Sequence, residues 1–189
     1  SARVLRRLLI GEPLAPWRAE ASLGLGVAEV LGGAPREGLD VLRGARQDFP
    51  RSAAEDELLF WEGEASWQLE DFAGADKTFR ELAGSYPDSP LRAQGLYRLA
   101  WAEGKLGKAE DAAAHLEEAA RLDPVLAPAA DLQRGWVLLS LGKSKEARVL
   151  FEAVGRNGPS PRRVLEAVIG RGECAYREGG FVGAAGFYD

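Results

Sequence analysis

The chain has 189 residues, of which 46% are hydrophobic and 28% charged, and its net charge is -5. These proportions fit a folded domain, and the acidic balance argues against a general nucleic-acid binder, because phosphate contact needs a concentrated basic face. No run approaches the roughly 18 apolar residues needed to cross a bilayer, so no direct membrane insertion is expected.

In chain order, residues 1–10 are not a signal peptide: Arg3, Arg6 and Arg7 interrupt the apolar residues, and no small-residue cleavage site follows. Four related runs come next: Gly38…Leu42…Pro50, Ala75…Phe79…Pro87, Ala112…Leu116…Pro124 and Ala147…Phe151…Pro159. Their anchors are 37, 37 and 35 residues apart. Such a period marks a stack of small supersecondary units. Residues 1–18 form the tail of a preceding unit, with Leu5, Leu8 and Pro13 in register. Complete units span 19–52 (Gly26, Gly38, Leu42, Ala45, Pro50), 56–89 (Gly63, Ala75, Phe79, Leu82, Pro87), 93–126 (Ala100, Ala112, Leu116, Ala119, Pro124) and 128–161 (Gly135, Ala147, Phe151, Val154, Pro159). A truncated unit covers 165–189, with Gly172 and Ala184. Both ends fall inside a unit and methionine is absent even at position 1, which predicts a piece of a longer polypeptide or a processed product.

Each unit is expected to be two antiparallel helices. Small residues let the two backbones approach, and the bulky and apolar residues three apart share one face of the second helix. Gly33, Gly107, Gly142 and Gly179 are expected at the turns, and the prolines stop the second helices. Ser52 with Glu55 has the form of a capping box, while Ser89-Pro90 and Ser160-Pro161 place a serine N-cap before a first-turn proline. These signals predict first helices that begin a turn early. Pro35 and Gly38 predict a less regular second helix in 19–52.

These positions resemble the tetratricopeptide repeat, whose 34-residue unit favours small residues at positions 8 and 20, a bulky one at 24 and proline at 32. The resemblance covers essentially the whole chain. It implies an all-α fold, a right-handed superhelical α-solenoid of helix pairs, and a non-catalytic scaffold whose first helices line a concave groove. Carried onto this sequence, the groove positions include Phe60, Glu64, Trp67, Tyr97, Trp101, Leu132, Trp136 and Tyr176. Their rings would form one stripe of partner anchors for an apolar or amphipathic protein segment, helical or extended. The alternative is that the rings fill the inside of the array. Glu57, Phe60, Glu64 and Trp101 stand where carboxylate-clamping relatives carry lysine, arginine or asparagine, so that specialisation is not expected.

The junctions Phe49-Pro50-Arg51-Ser52 and Tyr86-Pro87-Asp88-Ser89-Pro90 resemble those of bacterial cell-envelope members. Examples are the repeat domain of the Tol–Pal coordinator and the lipoprotein of the outer-membrane β-barrel assembly machine. That resemblance implies a periplasmic role. Arginine outnumbers lysine 19 to 5, in keeping with a GC-rich bacterial genome. The other functional reading is a spacer or end-to-end self-associating module, and a regulatory domain of a kinase or secretion apparatus is a third. Unit 56–89 carries nine acidic residues against two basic, which could steer a basic partner segment.

Catalytic and cofactor signatures are absent from the sequence. The single histidine, His115, falls on a second helix, and the single cysteine, Cys174, permits no intrachain disulfide. Neither zinc spacing nor a phosphate loop occurs. Glu62 and Glu64 point different ways around a helix and cannot share a metal.

Overall fold

The computed structural model describes residues 17–185, the last five as backbone only. The expected unit tail at Leu5, Leu8 and Pro13 lies outside the described residues, as does Tyr188. The described residues form α1 (Arg18–Leu31), α2 (Pro35–Asp48), α3 (Glu55–Gln68), α4 (Phe72–Ser85), α5 (Arg92–Lys105), α6 (Ala109–Leu122), α7 (Ala127–Ser140), α8 (Ser144–Asn157) and α9 (Pro161–Ala185), with no strand among them.

The helices α1 to α8 are 14 residues long each. Three-residue turns join the helices of a pair. The junctions between pairs hold six, six, four and three residues, and these, not longer helices, produce the anchor spacings. The expectation of early first helices is therefore corrected. Helices α3, α5 and α7 begin one residue before their nominal units, and only α9 begins four residues early. All four prolines stand two residues past the end of a second helix, where the chain must leave the helical path.

The caps explain the difference. Ser160 directly precedes Pro161, and its Oγ accepts from the Arg163 N–H at 3.4 Å, as an N-cap should. Ser52 and Ser89 lie three residues ahead of their helices, and neither caps one. Ala54 occupies the N-cap of α3, and Glu55 instead accepts the Arg51 N–H at 2.6 Å. Ser89 Oγ accepts from the Leu91 N–H and donates to Asp56 at 2.5 Å, tying one junction to α3, the first helix of the preceding pair. Helix α2 is regular, contrary to expectation, because Pro35 occupies its first turn, where no intrahelical bond needs its missing N–H.

Three of the predicted turn glycines, Gly33, Gly107 and Gly142, have φ of 83°, 74° and 74°. In the last unit the positive φ falls on Gly180, within a kink of α9, and not on Gly179. At the equivalent turn after α3 stands Glu70, with φ of 60° and a side chain poorly suited to that conformation.

Two compact units emerge, one through Gly95 and one from Leu96 onward. In the first, α1 packs on α2, α2 on α3 and α3 on α4, and α1 also meets α3. In the second, α6 packs on α7, α7 on α8 and α8 on α9, and α7 also meets α9. The core forms as the small–bulky pattern requires. Phe79 lies on Gly63, where an added Cβ would come within 2.6 Å of its ring, and Phe151 lies on Gly135 with a corresponding 2.7 Å. Both rings are fully buried, a gain of about 2–3 kcal/mol each relative to exposure.

The first unit adds an ionic staple. Glu62 of α3 is buried and accepts from Arg43 Nε at 3.0 Å and Arg46 Nη1 at 2.9 Å, while Arg46 Nη2 reaches Glu81 of α4 at 2.5 Å. Burial works against the Arg46 charge, but the Glu62 and Glu81 carboxylates outweigh it and raise its pKa above the ordinary value. One arginine on α2 thereby bridges both helices of the following pair.

Candidate functional site

The sequence-derived site residues divide between the two units and differ in what they can offer. In the first unit, Phe60 is buried, edge-on to Trp61 and Phe79 at 5.9 Å from each. Glu64 is buried. Trp67 is half-buried with its ring edge-on to Phe72 at 5.0 Å. These side chains are engaged mainly in packing.

In the second unit, Tyr97 and Trp101 sit one turn apart on α5 with rings in edge contact at 6.0 Å, and Trp101 is 37% exposed. Leu132 is buried and forms part of a floor. Trp136 is half-buried against Phe151 at 5.0 Å. Tyr176 on α9 is 44% exposed.

Two hollows open beside Tyr97 and Trp101. One, of about 360 Å³, lies between Tyr97 of α5, Leu132 and Gln133 of α7, and Arg162, Arg163 and Glu166 in the first turns of α9. The other, of about 300 Å³, lies between Ala100, Trp101 and Gly104 of α5, Leu116 of α6, and Gln133 and Val137 of α7. Gln133 lines both. Gly104 leaves its part of the second hollow's lining bare: a Cβ built there would meet nothing within 4 Å. Other first helices hold Val30, Trp67, Leu139 and Tyr176 at the equivalent position.

Charge in the hollows runs against that of the whole chain. Arg162, Arg163 and Lys105 line them against the single carboxylate of Glu166, which Arg162 holds at 2.9 Å. Sequence reasoning missed Gln133 and Arg163 as groove residues because it used a fixed repeat frame. The available signal was the Ser160-Pro161 cap, which starts α9 early and carries Arg163 into its first turn.

The acidic character of unit 56–89 is largely committed to structure. Glu62 and Glu81 take the α2 arginines, Asp76 takes Arg80 at 3.1 Å, Asp71 caps α4 through the Gly74 N–H, and Asp56 takes the Ser89 hydroxyl. Its junction also packs inward: burial and a hydrogen bond to Glu55 raise the Tyr86 hydroxyl above its ordinary pKa.

His115 Nδ1 meets the fully buried Glu103 at 2.8 Å and clamps α6 to α5. Cys174 is buried, which pushes its thiol up, away from the reactive thiolate. No group of three histidine, cysteine or carboxylate side chains placed to hold a metal occurs among the described residues. No described helix is long and apolar enough to cross a membrane.

Comparison with known proteins agrees with this architecture. Tetratricopeptide-repeat family models match residues 57–89, 97–161 and 132–189, together well over half the chain. Comparison with curated sequences gives no match. Among solved structures, MamA is similar with a TM-score of 0.79 at 17% identity, covering 92% of this chain and 90% of that one. YrrB, described as a TPR protein with an unusual peptide-binding site, gives 0.79 at 16%, covering 99% and 90%. Pseudomonas aeruginosa pilF gives 0.74 at 18%, covering 97% and 78%. At these identities the likeness shows the fold alone. The chain is a member of the tetratricopeptide-repeat proteins, with their α-solenoid arrangement of helix pairs.

Proposed function

We propose that this chain is a non-catalytic protein-interaction scaffold that holds a partner segment against the first-helix face of its second unit. The observation that carries the reading is the ring pair of half-buried Tyr97 and exposed Trp101, bordering two adjoining hollows. Aromatic rings that keep one face wet while their bodies are anchored are the usual high-energy contacts of an interface. YrrB's described peptide-binding site is a parallel on the same fold. The test is selection from a displayed random peptide library, followed by affinity measurement on a Tyr97→Ala/Trp101→Ala variant. Enriched peptides should lose at least about tenfold in affinity, equivalent to 1.4 kcal/mol. No enrichment, or unchanged affinity in the folded variant, rejects the scaffold reading.

The envelope placement is part of this proposal, and the Phe/Tyr-Pro-x-Ser junctions support it. A periplasm-dependent reporter fused to the full-length protein in a bacterial host tests it: an active reporter agrees, an inactive one puts the protein elsewhere. A second reading, self-association, draws on the apolar residues Leu165, Ile169 and Tyr176, all exposed along α9. Light scattering over a concentration series separates the two. The scaffold keeps a constant mass and binds peptide saturably, whereas self-association gives a mass that grows with concentration.

A further inference from the structure

Resting on the scaffold reading, we infer that the second unit selects an extended peptide segment with an acidic side chain two residues from an apolar one. Three observations fix this class. First, the larger hollow holds an uncompensated charge: Arg162 is paired with Glu166, but the half-buried Arg163 forms no ion pair among the described residues. A carboxylate is the complementary group, and it gains from the partial desolvation of the guanidinium. The smaller hollow is mainly apolar, with Lys105 its one charged lining residue. Ala100, Leu116 and Val137 form its floor, Trp101 its rim, and Gly104 leaves room for an aliphatic or aromatic side chain.

Second, the hollows are offset by one turn along two helices at once, from Tyr97 to Trp101 on α5 and from Gln133 to Val137 on α7. Four residues of helix rise about 6 Å. Side chains i and i+2 of an extended strand point the same way and lie about 6.7 Å apart. The spacing therefore matches acidic-x-apolar in an extended chain.

Third, Gln133 lines both hollows, and its half-buried carboxamide makes no hydrogen bond among the described residues. An extended peptide brings a free backbone N–H or C=O to that point. A helical ligand also repeats at about 6 Å, but its backbone is already satisfied internally, so it would cover the carboxamide and leave it unpaired.

The test uses end-capped nonapeptides with Glu-Ala-Leu at the centre, measured by fluorescence anisotropy on the whole chain. Expected is binding at least about tenfold tighter than for Lys-Ala-Leu, or for a peptide with four residues between Glu and Leu. Arg163→Ala should erase the Glu-over-Lys preference, and Arg163→Glu should reverse it. Gln133→Leu should weaken the Glu-Ala-Leu peptide several-fold. Three results overturn the inference: equal binding of the Glu and Lys peptides, a preference that survives Arg163→Glu, or tighter binding of an uncapped terminal carboxylate than of the internal Glu. The library selection separates this failure from that of the scaffold reading. Enriched peptides without an acidic-x-apolar pattern reject the inference alone, whereas no enriched peptide rejects both.

Discussion

The two units are built on one repeat and differ in how they use its first helices. At the position where the first unit places Phe60, inside its core against Phe79, the second places Tyr97, at a surface hollow. One turn on, the first unit buries Glu64, while the second exposes Trp101. A further turn-step brings Trp67 against Phe72 in the first unit and the bare backbone of Gly104 in the second. The first unit commits Arg43, Arg46, Glu62, Glu81, Asp76 and Arg80 to ion pairs, whereas Arg163 forms no ion pair among the described residues. Small-to-bulky packing fixes the fold in both, and the remaining first-helix positions decide which face is available for binding.

The contrast can be broken most severely at the ionic staple. Glu62→Ala removes the acceptor of two arginines and leaves Arg46 partly buried with only Glu81, so unfolding of the first unit should be easier by about 3 kcal/mol. Urea unfolding followed by circular dichroism reads this directly. A loss under about 1 kcal/mol would mean that the staple contributes only like a surface pair.

Next in size are the helix contacts shared by both units. Gly63→Ala and Gly135→Ala each set a Cβ against a buried phenylalanine ring, and each should cost about 1–3 kcal/mol. Similar losses in both variants would show that the repeat core is equivalent even though the binding faces are not.

A gain is expected at Glu70. It occupies a left-handed turn position where three other units have glycine, so Glu70→Gly should raise stability by about 1 kcal/mol in the same assay. No gain would mean that the turn is relaxed by contacts of the side chain.

The smallest effect concerns Asp131 in the second unit. Burial raises its carboxyl above the ordinary 3.8, outweighing the opposing attraction of Arg134, with Glu117 adding to the rise. Between the unfolded and folded values the native state holds a proton that the unfolded chain has released. This contribution to stability is complete below the unfolded value and is lost as pH rises through the folded one. Asp131→Asn should therefore melt higher than the parent at pH 7, with the difference vanishing toward pH 3.

Much of the fold was legible in the sequence because its determinants are local. Leu42, Phe79, Leu116 and Phe151 recur at one repeat position and are buried, and Pro50, Pro87, Pro124 and Pro159 each follow the end of a second helix. Helix starts were legible only where the serine adjoined the helix, as at Ser160. Six-residue junctions moved Ser52 and Ser89 out of capping range, which spacing alone does not reveal. Individual site residues were harder to read, because a ring at a groove position packs inward or outward according to its neighbours. Phe60 finds Phe79 and Trp61, while Trp101 borders the space left by Gly104. Arg163 was hidden by a frame that α9 does not follow, and Gln133 by standing between the groove positions that the frame supplies.

The most direct test of the second-unit groove compares matched substitutions at Gly104 and Gly84, two glycines with open space beside them. Gly104→Leu adds a side chain beside the smaller hollow, while Gly84→Leu adds the same side chain to α4 in the first unit; both replace a glycine in a helix's last turn, where a Cβ meets nothing within 4 Å. With both variants folded, affinity for a library-selected peptide should fall at least about tenfold in Gly104→Leu and stay at the parent value in Gly84→Leu. Equal affinities in the two variants would contradict the assignment of the binding face to the second unit.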